Sequence, residues 1–307
     1  MVRKIRLLAI GLVCGLFAIA CASTDFNIPA VTGGEPGNTL PGKVVWHDLL
    51  TDTPEQTRAC YNGLVGWEFK PLSPGDINYE LIYHRGVAIG GMVDQNRLPN
   101  EADISQWVML LSVEDAEAAA REVVDAGGEV LTPPTSLGDR GTIAIITDAQ
   151  GALLALLETG GDPLDHSNDP VAGNFLWNEL WTSDIAAATE FYRALAPYGV
   201  ETPAIEGLEQ NVDARILSTD GRPRLGIRSR PFDDLRPRWV NYLMVEDEAA
   251  LAAILSRVEA LGGEVLVEAT PRPLGGQVAL ITGPSGAGIA LQTWSPGQVS
   301  LRQEEQE

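Results

Sequence analysis

The sequence predicts an α+β protein made of two tandem copies of one domain, and three observations carry that reading. The first is a long-period repeat. Trp46–Tyr61 reads WHDLLTDTPEQTRACY, and Trp177–Tyr192 reads WNELWTSDIAAATEFY, with Trp, an acid, Leu, Thr and Tyr in the same order and spacing. Three more blocks recur in order: Trp107-Val108 and Trp239-Val240; VEDAEAAAREVVDAGGEVL from Val113 and VEDEAALAAILSRVEALGGEVL from Val245; DAQGALLALLE from Asp148 and GPSGAGIALQT from Gly283. So long a period exceeds that of a solenoid repeat and marks a duplicated domain. The second is local pattern: apolar runs of strand length alternate with segments of helical period. The third is size. A chain of 307 residues, 45% of them hydrophobic, can bury two cores.

The elements follow in order. VVWHDLL is a strand. Thr53 is a good helix N-cap, Pro54 suits the first helical position, and Gln56 completes a capping box. Cys60, among Ala59, Tyr61 and Leu64, reads as a buried small hydrophobe. WEFKPL, YELIYH and VAIGGMV are short strands. ISQWVMLLSV is a strand, and EDAEAAAREVVDAGG is a helix closed by Gly127. EVLTPP, GTIAIIT and LLALLE complete the set. Each copy thus reads strand-helix-strand-strand-strand, twice over. The segment 160–174 has linker composition. It places the domains at 43–159 and 175–294, with an acidic polar tail at 295–307.

Arg3, Lys4 and Arg6 precede an uncharged apolar run from Leu7 to Ala20, too short for a transmembrane helix and suited to an export leader over 1–20. Ala18-Ile19-Ala20-Cys21 resembles the lipobox of bacterial lipoproteins, with Ala18 where Leu is usual. That resemblance implies lipidation of Cys21 and two acyl chains, enough for a stable anchor. A plain signal peptide cleaved after Ala18-Ile19-Ala20 is the alternative. No Asp follows Cys21, and the lipoprotein rule then points to the periplasmic face of the outer membrane in a Gram-negative cell. Residues 21–42 read as a flexible tether. Cys14 leaves with the leader, so Cys60 has no disulfide partner. The balance of 21 basic against 42 acidic residues, a formal net charge of -21, argues against nucleic acid as a partner.

The blocks W-H-D-L-L-T…Y-N-G-L-V-G-W-E, GGMV, W-V-M-L-L-S-V-E-D, A-G-G-E-V-L-T-P-P and D-A-Q-G-A-L-L-A-L-L-E resemble the vicinal oxygen chelate superfamily of glyoxalase I, extradiol dioxygenases and bleomycin resistance proteins. The second copy supplies W-N-E-L-W-T, W-V-N-Y-L-M-V-E-D, L-G-G-E-V-L and G-P-S-G-A-G-I-A-L-Q. The resemblance covers about Lys43 to Trp294. It implies two glyoxalase-like domains. Each pairs two βαβββ modules in one U-shaped, mostly antiparallel sheet with helices outside. In metal-dependent members the strands offer His or Glu to a divalent ion inside the U.

Carried over residue by residue, those ligand positions fall on His47, Val108 and Ala155, with one more within VAIGGMV; in the second copy they fall on Asn178, Val240 and Ala290, with one more within LGIRS. One imidazole does not replace three or four protein ligands. No metal is therefore expected, unless a one-residue slip brings Glu158 in beside His47. Asp48 is expected on the helix side or at a domain edge, with Trp46, Trp107, Trp177 and Trp239 packed beneath the helices. The first cavity is then lined by Val45, His47, Leu49, Gln106, Val108, Leu110, Leu153, Ala155 and Leu157, the second by Asn178, Leu180, Arg238, Val240, Tyr242, Ala290 and Gln292. The candidate ligand-binding residues are His47, Gln106, Asn178, Arg238, Tyr242 and Gln292. Arg238 either takes a carboxylate or phosphate through two parallel hydrogen bonds or points into solvent.

Three readings follow. One is a lipid-anchored, monomeric, metal-independent binder of a small molecule, with no cofactor. Another is a metal-dependent lyase or dioxygenase of the glyoxalase type. The third is a structural or partner-binding envelope protein with vestigial cavities.

Overall fold

The computed structural model describes residues 27–72, 79–98, 103–165, 171–204, 213–272, 276–293 and 300–303. The leader at 1–20, Cys21 and His166 lie outside these residues, as does the tail apart from 300–303. The first domain runs β1 (Val44–Thr51), α1 (Pro54–Val65), β2 (Glu68–Pro71), β3 (Tyr79–His84), β4 (Val87–Asp94), then β5 (Gln106–Ser112), α2 (Ala116–Asp125), β6 (Glu129–Ser136), β7 (Thr142–Thr147) and β8 (Leu153–Glu158). The second repeats it: β9 (Phe175–Thr182), α3 (Ile185–Leu195), β10 (Gly199–Ala204), β11 (Ala214–Thr219), β12 (Arg222–Ser229), then β13 (Arg238–Val245), α4 (Glu248–Val258), β14 (Glu264–Pro271), β15 (Gln277–Thr282) and β16 (Gly288–Thr293).

Each domain is one sheet, ordered β2-β3-β4-β1-β5-β8-β7-β6 and β14-β15-β16-β13-β9-β12-β11-β10. The first strands of paired modules lie antiparallel at the centre, β1 on β5 and β9 on β13. Each also runs parallel to the last strand of its own module. The tail is not only a polar extension, because β17 (Ser300–Gln303) pairs antiparallel with β10.

The helices start where a short acid can satisfy free backbone N–H groups. Asp115, Asp184 and Asp247 accept from Ala118, Ala187 and Ala250 at 2.8, 2.9 and 2.7 Å. Thr53 precedes α1 as expected but makes no side-chain cap bond; instead its backbone N–H donates to Thr51 Oγ1 at 3.1 Å. Gly127, at φ 88°, closes α2 through its N–H to Val124 O.

The helices lie on one face of each sheet, and those faces meet. One core joins Met109, Val123, Ile146 and Leu156 of the first domain to Leu180, Phe191, Leu217 and Trp239 of the second. Another joins Leu49, Tyr61, Trp67 and Trp107 to Leu243, Leu251, Ile281 and Leu291. Helices placed outside each sheet are therefore inside the molecule. Each full burial of such a side chain contributes about 1.5–3 kcal/mol.

Two segments expected to be loose are packed. Within 21–42, Ile28 and Val31 are buried in the first domain, and Ile28 N–H donates to Leu137 O at 3.0 Å. Within 160–174, buried Asp162 accepts from Leu40 N at 2.6 Å and Ser112 Oγ at 2.5 Å. Asp165 takes both guanidinium nitrogens of Arg224 at 2.6 Å and pairs with Lys43 at 3.1 Å. Polar, Pro- and Gly-rich composition concealed these anchors.

Candidate functional site: the helix-free faces

Both copies carry a bulge at the start of the first strand. On β1 the pairing steps from Val44 to Trp46 against Leu111 and Leu110, and on β9 from Phe175 to Trp177 against Leu243 and Tyr242. One extra residue shifts the alternation of everything after it. Val45 and Trp46 therefore both pack in the core on the helix-free side, as do Leu176 and Trp177 in the second copy. The expected phase is wrong for β1 and β9. Trp46, Asp48 and Leu50 face away from the helices, as do Trp177, Glu179 and Trp181; His47, Leu49, Asn178 and Leu180 do not. Trp107 and Trp239 do lie beneath the helices, where each indole N–H donates to a helix tyrosine, Tyr61 at 3.2 Å and Tyr192 at 3.0 Å.

His47 and Asn178 meet each other. His47 Nε2 lies 2.7 Å from Asn178 Oδ1, and Phe175 stacks on the imidazole with ring centroids 3.7 Å apart. Equivalent positions of the two repeats thus hydrogen-bond across the domain seam. Burial is the main cause that lowers the His47 pKa to about 4, against a smaller rise from the Asn178 bond. The imidazole is neutral near pH 7, and its Nε2–H donates to the amide oxygen. Asn241, paired with Asn178 across the strands, is 1% exposed, and neither of its side-chain amide atoms has a partner among the described residues.

On the first domain's helix-free face, Asp48 accepts from Tyr79 OH at 2.7 Å and Trp46 Nε1 at 3.0 Å. Burial raises its pKa, opposed by Tyr79, Arg140 and Trp46. The Arg140 guanidinium lies 3.9 Å over the Trp46 ring, and its Nε donates to Pro29 O at 2.7 Å. Val108, Leu110, Ile143, Ala155 and Leu157 belong to the same core, into which Ile28 and Val31 also pack. This face is filled by the chain's own N-terminal segment. Gln106 sits at its margin, donating weakly to Ile104 O at 3.3 Å.

The second domain's face is polar and half-open. Buried Glu179 accepts from Tyr242 OH at 2.6 Å and Trp181 Nε1 at 3.2 Å, and pairs with Arg272 at 2.5 Å. Arg272 also donates to Gln292 Oε1 and lies 4.8 Å over the Tyr242 ring. Burial, then the Glu179 charge, raises the Tyr242 pKa, so its phenol stays protonated. Arg228 lies 3.8 Å from Glu179 with its side chain 42% exposed. Arg238, paired across the strands with Trp181, is exposed, and burial of part of its side chain and nearby Arg236 lower its pKa. Trp177, Trp181, Val278 and Leu280 are half-buried around this cluster.

The donor sets do not fit the superfamily's metal. Across the four central strands the first domain's face presents Gly91, Asp48, Val108 and Ala155, and the second presents Gly226, Glu179, Val240 and Ala290. The glycines leave room for the acids: a Cβ at Gly91 would strike Tyr79 OH and Asp48, and one at Gly226 would crowd Trp177 Nε1 at 3.0 Å. Among the described residues each face therefore offers one carboxylate, already held by a phenol and an indole. Among the described residues no three His, Cys, Asp or Glu side chains cluster. Glu158 does not join His47; its carboxylate accepts from Ala116 N at 3.0 Å on the helix side.

Paired βαβββ modules, central antiparallel first strands and one polar cluster per sheet define the class. Residues 43–156 match the model of the Glyoxalase/Bleomycin resistance protein/Dioxygenase superfamily. That match spans the first domain, and the second domain repeats its fold. It is 28% identical over 258 residues to "Putative glyoxylase CFP32" of Mycobacterium tuberculosis, covering 82% of this chain and 95% of that protein. It is also 28% identical over 275 residues to anthracycline biosynthesis protein DnrV of Streptomyces peucetius, covering 82% and 93%. Among solved structures, the Mn(II)-bound glyoxalase of Novosphingobium aromaticivorans aligns with TM-score 0.57 at 12% identity over 82% of each chain. The 2,3-dioxygenase LapB of Pseudomonas sp. KL28 aligns with TM-score 0.55 at 12% identity over 91% of this chain and 97% of its own. At such identity these two show a shared fold.

Of the expected ligand-binding residues, Tyr242, Gln292 and Arg238 share the second domain's face, and His47 and Asn178 are at the seam. Glu179, Arg272, Arg228, Asp48 and Arg140 were missed. One signal for the acids was present: an acid recurs after each Trp-X pair, at Asp48 and Glu179.

Proposed function

We propose that this chain binds a small molecule on the helix-free face of its second domain, without a metal, while its first domain serves as a closed partner. One observation carries the reading. Glu179, Arg272, Tyr242 and Gln292 form a connected polar cluster among half-buried Trp177 and Trp181, whereas the matching face of the first domain is filled by Ile28 and Val31. Apolar walls with a few placed polar groups are the usual make-up of a small-molecule site. The buried network holds those groups in place before a ligand arrives. The superfamily's metal-assisted chemistry is the competing reading, and the donor sets above argue against it.

The test is calorimetric titration of the chain from Cys21 onward with flat aromatic probes, and separately with Mn(II). Saturable probe binding, weakened at least tenfold by Trp181→Ala and unaffected by His47→Asn, is the expected result. One-to-one Mn(II) binding lost in Glu179→Gln would replace this reading with the metal-dependent one.

The same proposal places the protein on a bacterial envelope membrane through lipidated Cys21, supported by the basic flank, the apolar run and the small residues before that cysteine. In a Gram-negative cell this is the periplasmic face of the outer membrane. Incorporation of an alkyne-tagged fatty acid, lost in Cys21→Ala, is the expected outcome; labelling that persists in that variant contradicts it.

A further inference from the structure

We infer that the ligand of the second domain is an anion on a flat apolar body, a carboxylate being the simplest case. This rests on the small-molecule reading above and names the class of molecule. The chain is strongly acidic, with a formal net charge of -21. The helix-free face of the second domain runs against that balance. Among the described residues three guanidinium groups share that face, from Arg228, Arg238 and Arg272, with one carboxylate, Glu179.

The three arginines are not equivalent. Arg272 is spent within the protein. It is 7% exposed as a side chain, bonded to Glu179 at 2.5 Å and to Gln292, and laid over Tyr242. Its charge offsets Glu179, which also accepts from Tyr242 and Trp181. Among the described side chains of this face, that leaves the charges of Arg228 and Arg238 in excess at the rim. Arg228 reaches Glu179 only at 3.8 Å and is 42% exposed. Arg238 is exposed, and its one bond among the described residues is a long one from Nε to Arg236 O at 3.4 Å. Apart from that 3.8 Å ion pair, the outer nitrogens of both guanidinium groups make no hydrogen bond to a described residue. The two arginines are the register neighbours of Trp181 on either side of β9, and two such forks match an anion that lies flat on that indole and turns its oxygens to the rim. A cationic ligand would meet the same excess charge unfavourably, because Glu179 is already neutralised.

Three probes of one ring system separate the possibilities: 1-naphthoate, 1-naphthylmethanol and 1-naphthylmethylamine, titrated calorimetrically into the chain from Cys21 onward. The expected result is naphthoate binding about tenfold or more tighter than the alcohol, with the amine weakest. In the Arg228→Gln/Arg238→Gln double variant, naphthoate should fall to the level of the alcohol, while the alcohol itself binds unchanged. Both arginines are at the rim and partly exposed, so the variant is expected to fold, with thermal unfolding as the control. Equal binding of all three probes, tighter binding of the amine, or naphthoate binding indifferent to the double variant overturns the anion inference and leaves the small-molecule reading standing. Absence of binding by all three overturns both.

Discussion

His47 is the residue whose chemistry the structure changes most. By sequence it stands alone at a family ligand position; in the fold it is the hydrogen-bond partner of its own repeat counterpart, Asn178. Its folded pKa of about 4 lies below the unfolded value of 6.5. Between those values the unfolded chain binds more protons, so stability is fully present above pH 6.5 and is lost as pH falls toward 4. The expected loss is about 3 kcal/mol. Denaturant unfolding of the wild type and His47→Asn at pH 7.5 and pH 4.5 checks this: the variant should lack that part of the pH dependence. At the other site, Arg272→Met should leave Glu179 buried without its cation and cost about 3–5 kcal/mol. Urea unfolding within 1 kcal/mol of wild type would contradict the pairing. Which residues share a face was not legible in VVWHDLL, because an all-apolar run around one His and one Asp fixes no phase and the bulge at Val45 leaves no mark in it. The paired acids were visible as a repeat, but their role needed the register.

Every strand and helix that the repeat and the local pattern outline is present, because period, turn glycines and acid caps agree with one another. Cap chemistry makes a sharp contrast. Asp184→Ala should destabilise by about 1 kcal/mol, since it removes a bond to Ala187 N, whereas Thr53→Ala should change stability by less than about 0.5 kcal/mol. Equal effects in thermal unfolding would contradict that assignment. The segments 27–42 and 160–165 were misread as loose for one reason. Their anchors are two apolar side chains, Ile28 and Val31, and two aspartates, Asp162 and Asp165, whose partners lie far away in sequence. Composition records none of those distant contacts. Replacing Ile28 and Val31 with Ser should lift the strap from the first domain's face and speed proteolytic cleavage within 27–42.

Across the whole molecule, the two domains share their cores. The two largest hydrophobic clusters each draw on both copies, and α1 packs against α4 as α2 does against α3. Duplication therefore gave one cooperative unit rather than two beads on a linker. The excised first domain, residues 43–159, should be aggregated or unfolded, while the full chain should unfold in a single calorimetric transition; two well-separated transitions would refute the shared core. The same back-to-back packing turns the helix-free faces outward and takes His47 and Asn178 out of both. Among the described residues, each face keeps one acid held by a phenol and an indole, beside Arg140 in the first domain and beside Arg272 and Arg228 in the second. The most direct test is the metal content of the chain from Cys21 onward, purified without chelators or a His tag and measured by elemental analysis. Divalent metal far below one equivalent is the predicted result. One equivalent of Mn, Fe or Zn, lost in Glu179→Gln or Asp48→Asn, would contradict it.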